Sequence, residues 1–219
     1  MNTLELFAGS RSFWKVSEKL GNKNFSVEIE DYKNIDYKVD ILKFDYNKIP
    51  FVPDIIWASP PCTSFSIAGC STNRNLDTSP KTENGEKGDL LVLKTIDIIY
   101  FYLKINPRLK FYIENPTWIL RNRFYMLYVW VRRTITYCSY GDTVMKPTDI
   151  WTNDMFMNWI PKTPCKRHKY DTNGKVINQK CHHEQARRWS KNGTQGKKWS
   201  YERSRIPKEL FYDILKHKN

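Results

Sequence analysis

The sequence of 219 residues predicts a fold of the α/β class, built on a sheet with parallel strands. Three observations support this class. Short apolar strands alternate with helical segments, a glycine-bearing turn follows the first strand, and the strand at 55–58 stops at the pair Pro60-Pro61. Strand, helix and strand in succession form right-handed βαβ units, which place their strands parallel in one sheet.

The spacing of apolar residues gives the individual elements. Strands are expected at 3–8, 25–29, 38–42, 55–58, 109–113, 134–137 and 149–152, and helices at 13–20, 89–103 and 120–128. Gly21 ends the first helix, whereas Asp89 caps the second and Asn106-Pro107 ends it. Residues 69–88 are polar and lack periodicity, so we expect a long functional loop there.

Positive charge is concentrated at the end of the chain. The protein has 36 Lys and Arg against 23 Asp and Glu, a net charge of +13. Residues 160–219 alone hold 16 Lys and Arg against 5 Asp and Glu, interleaved with Tyr170, Trp189, Trp199 and Tyr201. A solvated or disordered tail is the alternative interpretation, but such tails are poor in aromatic residues. The pattern therefore favours a surface that binds nucleic-acid phosphates.

Cysteine number and hydropathy indicate the compartment. Five cysteines, an odd number, in a chain with no export signal argue against a disulfide framework. No apolar run is long enough to span a bilayer. We therefore expect a cytoplasmic protein that does not associate with membranes.

Cys62 is the leading candidate for a catalytic residue. It follows a buried strand and the rigid Pro60-Pro61 pair, at the sheet edge where α/β folds bind ligands. A buried cysteine is most often an inert apolar residue, whereas a nucleophile needs exposure and stabilisation of its thiolate. Its setting favours the nucleophile. Glu114 ends another strand before Pro116, and could act with Cys62 on one planar substrate.

The first strand, its turn and the helix that follows resemble the entrance of a nucleotide-like cofactor site. The turn contains Gly9, and Glu28 ends the second strand about twenty residues later, where an acid commonly binds ribose hydroxyls. Asp40 lies at the end of the predicted third strand and could accept from an adenine amino group. The glycine turn alone is equally compatible with a structural turn, and each acid alone is more often a solvated strand end. Three such features in register favour the cofactor site.

Together these residues resemble a known family. Phe7-Ala8-Gly9, Ser59-Pro60-Pro61-Cys62 and Glu114-Asn115-Pro116 are similar, in this order, to the first, fourth and sixth motifs of the DNA (cytosine-5) methyltransferases. The matching segments cover most of residues 4–153. The resemblance implies a doubly wound, mixed seven-stranded sheet of Rossmann-like topology, S-adenosylmethionine as cofactor, and a cytosine flipped out of DNA.

The resemblance also implies residue roles. Cys62 would attack carbon 6 of the cytosine, Glu114 would hold ring nitrogen N3, and Lys146 would replace one cationic contact of the eighth motif. The expected cofactor-binding residues are Phe7, Ala8, Gly9, Ser10, Glu28, Ile29, Asp40, Ile41, Ser59 and Pro60. Ser64 and Ser66 would contact the nucleic acid from a loop, residues 64–88, that closes over the base.

The sequence departs from the family in its first and eighth motifs. Arg11 and Ser12 stand where the family has its second and third glycines. The family's eighth motif has a glutamine and two arginines, where this chain has Val144, Lys146 and Thr148.

The chain is also short for the family. We expect a catalytic domain at 1–159, a basic DNA-contacting insert at 160–200, and a segment at 201–219 that returns to the cofactor site. The insert is too small for the usual target-recognition domain. Its expected phosphate or base contacts are Arg187, Arg188, Lys197 and Lys198.

The same insert contains candidate zinc ligands. These are Cys165, His168, Cys181 and His183, with His182 as an alternative to His183. Four such ligands could hold zinc and stabilise a segment without a core of its own. The spacing matches no standard zinc finger, so scattered residues on a basic loop are the alternative.

The sequence therefore predicts a monomeric cytosine-5 methyltransferase acting on DNA, with duplex DNA as the preferred substrate. Asn- and Lys-rich composition suggests an A·T-rich genome, microbial or viral. Three alternatives stay open: the same chemistry on transfer RNA, a non-catalytic DNA-binding relative, and an adenosine-containing donor of an electrophile other than methyl.

Overall fold

The computed structural model of the chain describes residues 1–142, 146–157, 172–173 and 204–216. Its strands are β1 (Asn2–Leu6), β2 (Lys23–Glu28), β3 (Tyr37–Lys38), β4 (Ile55–Ala58), β5 (Lys110–Pro116), β6 (Val131–Thr136) and β7 (Pro147–Thr152). Its helices are α1 (Ser12–Lys19), α2 (Ile67–Asn73), α3 (Glu83–Ile105) and α4 (Lys208–Lys216). Short 3₁₀ helices cover Ile41–Lys43, Tyr46–Lys48, Ile119–Asn122, Phe124–Met126 and Tyr137–Tyr140.

The seven strands form one sheet in the order β3-β2-β1-β4-β5-β7-β6. The first five strands are parallel, and β7 runs antiparallel between β5 and β6. After β1, the chain adds β2 and β3 toward one edge of the sheet. It then returns to form β4 beside β1 and adds β5, β6 and β7 toward the other edge. This reversal creates a crevice at the carboxyl ends of β1 and β4, where such folds bind their ligands. The predicted mixed, doubly wound sheet is confirmed.

Hydrophobic cores lie on both faces of the sheet because alternate residues of each strand point to opposite sides. Leu4, Leu6 and Ile56 pack with α3 on one face. Trp57 and Tyr112 pack with α1 and α4 on the other face. Full burial of each large apolar side chain contributes about 1.5–3 kcal/mol to the free energy of unfolding.

Helix α4 joins the end of the chain to its beginning. The ring of Phe211 lies edge-on to Phe13 of α1 at a centroid distance of 5.4 Å, and to Trp57 of β4 at 4.8 Å. These contacts bring residues 204–206, just before the helix, to the turn that follows β1.

The strand predicted at 38–42 is wrong after Lys38. The Oδ1 atom of Asp40 accepts a hydrogen bond from the N–H of Leu42 at 3.1 Å, so that Asp40 caps a 3₁₀ helix. Aspartate favours this position because its short side chain satisfies a free N–H at a helix start.

The long loop predicted at 69–88 is also wrong. Helix α2 occupies its start, and α3 begins with Thr82 as its cap, seven residues before the predicted cap Asp89. Gly85 and Gly88 lower helix propensity, yet both are needed here. A Cβ at Gly85 would meet the carbonyl oxygen of Asn73, and one at Gly88 would meet Ser64.

The helix predicted at 120–128 is wrong as well, since two 3₁₀ helices occupy this segment.

Within the described ranges, none of the helices combines the length and apolar character needed to cross a bilayer.

Candidate active site

A cavity of about 480 Å³ opens at the carboxyl ends of β1, β2, β4 and β5. The three predicted catalytic residues, Cys62, Glu114 and Lys146, line it. So do nine of the ten predicted cofactor residues: Phe7, Ala8, Gly9, Glu28, Ile29, Asp40, Ile41, Ser59 and Pro60. Ser10, the tenth, is buried in the adjoining turn. Residues distant in sequence therefore share one cavity.

The turn after β1 has an unusual backbone. Phe7, Gly9 and Arg11 all adopt positive φ angles, of 57°, 47° and 54°. Such conformations are uncommon for residues other than glycine and persist where the surrounding structure enforces them. The N–H of Ser10 donates to Oγ of Ser204 at 3.2 Å, and a Cβ on Gly9 would lie 3.0 Å from the same oxygen. The turn after β1 therefore packs against Ser204, in the segment before α4.

Glu28 holds this turn to the end of β2. Its Oε2 accepts from the N–H of Gly9 at 2.8 Å, and its Oε1 accepts from the N–H of Ile29 at 2.8 Å and of Glu30 at 3.3 Å. The described residues fill three of the about four acceptor positions of this carboxylate, which leaves one for a ligand hydroxyl. The side chain is buried against the cavity.

Glu5 is a buried acid in the cavity wall that sequence reasoning missed. Its two carboxyl oxygens accept from the N–H groups of Phe13 and Trp14, at 3.2 and 3.0 Å, at the start of α1. Burial raises the pKa of Glu5 to about 8, against the opposing effect of these hydrogen bonds. An acid between two apolar residues of a strand, Leu4 and Leu6, was the available signal.

Cys62 is half-buried at the cavity. The strand before it ends at Ala58, and the side-chain amide of Asn115 donates to the carbonyl oxygen of Pro60 at 3.0 Å. The N–H groups of Phe65 and Ser66 donate to the carbonyl oxygen of Cys62 itself, at 3.0 and 2.9 Å. The thiol therefore sits on a backbone fixed from both sides.

The segment after Cys62 is anchored by a buried arginine. Arg74 donates to the carbonyl oxygen of Ser64 at 3.2 Å and to its Oγ at 3.0 Å, and pairs with Asp89 at 2.8 Å. Ser64, predicted to contact nucleic acid, is buried in this arrangement, whereas Ser66 is half-buried at the start of α2. Lys87, an exposed cation that the sequence reasoning missed, also lines the cavity.

Glu114 is buried at the end of β5, where it contacts one hydrogen-bond donor and one cation. The hydroxyl of Tyr137 donates to its Oε1 at 2.8 Å, and Nζ of Lys146 lies 3.7 Å from the same oxygen. Burial and the neighbouring Glu114 hold the pKa of the Tyr137 phenol well above its ordinary value. Nothing in the sequence pattern distinguished Tyr137 from an ordinary core aromatic.

Other predicted residues lie outside the described residues. These are the expected phosphate contacts Arg187, Arg188, Lys197 and Lys198, and the candidate zinc ligands Cys165, His168, Cys181, His182 and His183. Among the residues that the structure describes, no group of three or more His, Cys, Asp and Glu side chains could hold a metal ion.

This arrangement has two chemical halves. Glu28 and Asp40 could accept hydrogen bonds from the hydroxyl and amino groups of a nucleoside. Cys62 and Glu114 could supply a nucleophile and an acid to a ring bound next to that nucleoside. A Rossmann-like sheet with both halves in one cavity is the architecture of an S-adenosylmethionine-dependent methyltransferase.

Comparison with known proteins identifies the family. Residues 1–115 match the family described as C-5 cytosine-specific DNA methylase. A Frog virus 3 (isolate Goorha) protein named "Probable DNA (cytosine-5)-methyltransferase" is 33% identical over 172 residues, which cover 74% of each chain. This chain belongs to the C-5 cytosine-specific DNA methylase family, as its motifs predicted, and is a cytosine-5 methyltransferase by class.

Solved structures are similar to this chain at low identity. Entamoeba histolytica methyltransferase EhMeth is 13% identical with a TM-score of 0.45, covering 69% of this chain and 52% of that one. The Dnmt2 methyltransferase of S. pombe is 10% identical with a TM-score of 0.45, covering 69% and 48%. The chain thus spans about half the length of these structures.

Proposed function

We propose that this protein transfers a methyl group from S-adenosylmethionine to carbon 5 of a cytosine in DNA. One observation carries the proposal: Cys62 and Glu114 line the same cavity as the acceptors Glu28 and Asp40. Cofactor and base would then meet without a large rearrangement of the sheet.

The residues present suit the cofactor. Glu28 is held by backbone N–H groups and would accept from the ribose hydroxyls, while Asp40 would accept from the adenine amino group. The turn at Gly9 lets the ligand approach the backbone closely because no side chain intervenes. S-adenosylmethionine supplies, when bound, an electrophilic methyl group.

Cys62 and Glu114 would activate the ring together. The thiolate sulfur of Cys62 forms a bond to carbon 6, and the electron pair of the C5=C6 bond forms a C4=C5 double bond. The pair of the C4=N3 bond moves to N3, which takes a proton from Glu114. Carbon 5 becomes nucleophilic as a result. Lys146, at 3.7 Å from the Glu114 carboxyl group, would place a cation beside the charge that develops.

The same residues would release the product. Once carbon 5 carries the methyl group, it loses its hydrogen as a proton to water, and the bond between sulfur and carbon 6 breaks. Cys62 leaves as the thiolate, and the proton on N3 returns to Glu114. The enzyme is thereby restored.

A cytosine in duplex DNA reaches this cavity only if it leaves the base stack. Ser66, at the start of α2, would contact the flipped nucleotide, whereas Ser64 would first have to lose its hydrogen bonds with Arg74. The basic residues Arg187, Arg188, Lys197 and Lys198 are proposed to bind phosphates or bases, with zinc at the nearby cysteines and histidines as a separate hypothesis.

Transfer of labelled methyl from S-adenosylmethionine to random-sequence duplex DNA tests the function. Wild type, Cys62→Ala and, as a control, Cys70→Ala should be compared, with nucleoside mass spectrometry of the product. We expect 5-methylcytosine with wild type and Cys70→Ala and none with Cys62→Ala. Transfer only to structured RNA would favour the RNA alternative, and cofactor binding without transfer to either would overturn the enzymatic proposal.

A further inference from the structure

We infer that Tyr137 is a positioning residue, whose hydroxyl fixes the Glu114 carboxyl group so that Oε2 is the oxygen presented to the cytosine ring. The inference rests on the proposed function, because it concerns the acid that serves N3. It adds a residue outside the three motifs that carry the family resemblance.

The contacts of Glu114 are one-sided. Tyr137 donates to Oε1 at 2.8 Å, and Lys146 Nζ lies 3.7 Å from the same atom. Both contacts that the described residues make with this carboxyl group therefore go to Oε1. Tyr137 is 2% exposed and Glu114 4%, so water does not readily replace the phenol as donor.

Tyr137 is itself held in place. Its backbone N–H donates to the carbonyl oxygen of Lys146 at 3.2 Å, and the ammonium of Lys146 lies 4.7 Å from the centre of its ring. The donor is thus preorganised rather than free to rotate away.

The direction of the hydrogen bond decides where a proton on Glu114 resides. The phenol stays protonated at working pH because burial and the neighbouring Glu114 raise the pKa of Tyr137 well above its ordinary value. A donor on Oε1, together with the cation of Lys146, disfavours a second proton on that oxygen. The proton of the carboxylic acid is therefore placed on Oε2, the atom left to serve N3.

Tyr137→Phe removes the donor and keeps the ring. Hydrogen bonds to charged groups contribute about 1.5–3 kcal/mol, so kcat should fall by about 10- to 100-fold. The KM for duplex DNA and the Kd of S-adenosylhomocysteine should stay within about twofold, since uniform binding is not affected. Tyr112→Phe is the matched control. Tyr112 lies on β5, as Glu114 does, and its hydroxyl also donates to a buried carboxylate, that of Asp154, at 2.7 Å.

A second pair of variants separates donation from packing. Replacing Tyr137 by 4-aminophenylalanine fills the space of the hydroxyl with a donor, and 4-methylphenylalanine fills it without one. The inference predicts that kcat is restored by the first and not by the second. This pair decides the question even if Tyr137→Phe unfolds, because neither leaves a cavity.

A double mutant shows whether Tyr137 acts through Glu114. In a Glu114→Gln background, Tyr137→Phe should lower kcat by no more than about twofold, because the effects of residues that act as a unit are not additive.

A hydrogen-exchange assay isolates the steps assigned to Cys62 and Glu114. The hydrogen on carbon 5 of cytosine exchanges for deuterium in D₂O without methyl donor, and this exchange requires those steps alone. In Tyr137→Phe, the rate of exchange should fall in parallel with kcat.

Unchanged kcat in Tyr137→Phe, an equal loss in the Glu114→Gln background, or equal restoration by both phenylalanine analogues would overturn the inference while leaving the proposed function intact. Absence of methyl transfer by the wild type would instead overturn the proposed function and, with it, the role given to Tyr137.

Discussion

The side-chain amide of Asn115 donates a hydrogen bond of 3.0 Å to the carbonyl oxygen of Pro60 and so joins the two strand ends that carry Glu114 and Cys62. The ladder between β4 and β5 ends at the pair Ala58 and Ile113. Proline has no N–H with which to extend a ladder. The asparagine side chain continues the connection between the strands where the backbone of Pro60 cannot donate.

Asn115→Ala should therefore separate Cys62 and Glu114, the two groups proposed to be catalytic. We expect kcat to fall by about tenfold or more and the free energy of unfolding to fall by about 1–3 kcal/mol, because the buried carbonyl of Pro60 loses its partner. Methyl-transfer kinetics and urea unfolding measure both effects. Asn106→Ala is the control, since Asn106 makes the same bond to the carbonyl of Pro53, also at 3.0 Å, away from the cavity; an equal loss of kcat there would contradict the account.

The buried cluster around Asp89 is predicted to hold the segment after Cys62. Asp89 pairs with Arg74 and Arg123, each at 2.8 Å, and accepts from the hydroxyl of Tyr125 at 2.7 Å. Asp89→Asn leaves the buried Arg74 and the half-buried Arg123 without this counter-charge and should lower the free energy of unfolding by about 3–5 kcal/mol.

The exposed pair between Lys94 and Asp97 provides the comparison for this cluster. Asp97→Asn should change the free energy of unfolding by no more than about 1 kcal/mol, since exposed pairs contribute little. Urea unfolding of both variants measures the difference. Equal effects at Asp89 and Asp97 would show that the buried cluster does not anchor the segment.

Stability of the ligand-free protein should decrease as pH rises from about 5 to about 8. Burial raises the pKa of Glu5 to about 8 in the folded state, against 4.5 as its ordinary value. Between these values the folded protein binds more protons than the unfolded chain, so the free energy of unfolding falls with pH, by at most about 1.4 kcal/mol per pH unit.

The variant Glu5→Gln isolates this contribution. Thermal unfolding of wild type and variant across the range should show a steeper decline in the wild type. Glu18→Gln, at an exposed position of α1, should behave like the wild type. Parallel curves for wild type and Glu5→Gln would contradict the assignment.

The sheet and most of the cavity could be predicted because they depend on local patterns. Apolar runs indicated the strands, and acids or a cysteine at strand ends marked the edge at which the cavity opens. Asp40 lines this cavity although the strand predicted around it is absent. An acid that caps a 3₁₀ helix and one that ends a strand look alike in sequence.

Other features depend on tertiary contacts that no local pattern records. Gly85 and Gly88 weaken a helix in isolation, yet α3 includes both because Asn73 and Ser64 approach its backbone. Tyr137 looks like a core aromatic until its hydroxyl is seen on Glu114. The network around Arg74 likewise joins residues that are far apart along the chain.

The most direct test of the account is to find the protein atom that bonds to cytosine. Duplex DNA of random sequence with 5-fluorocytosine should trap the enzyme in the presence of S-adenosylmethionine, because fluorine on carbon 5 cannot leave as a proton does. Mass spectrometry of the digested complex should find the nucleotide on the peptide that contains Cys62. An adduct on Cys70 or Cys138, or methyl transfer with no adduct at all, would contradict the role of Cys62.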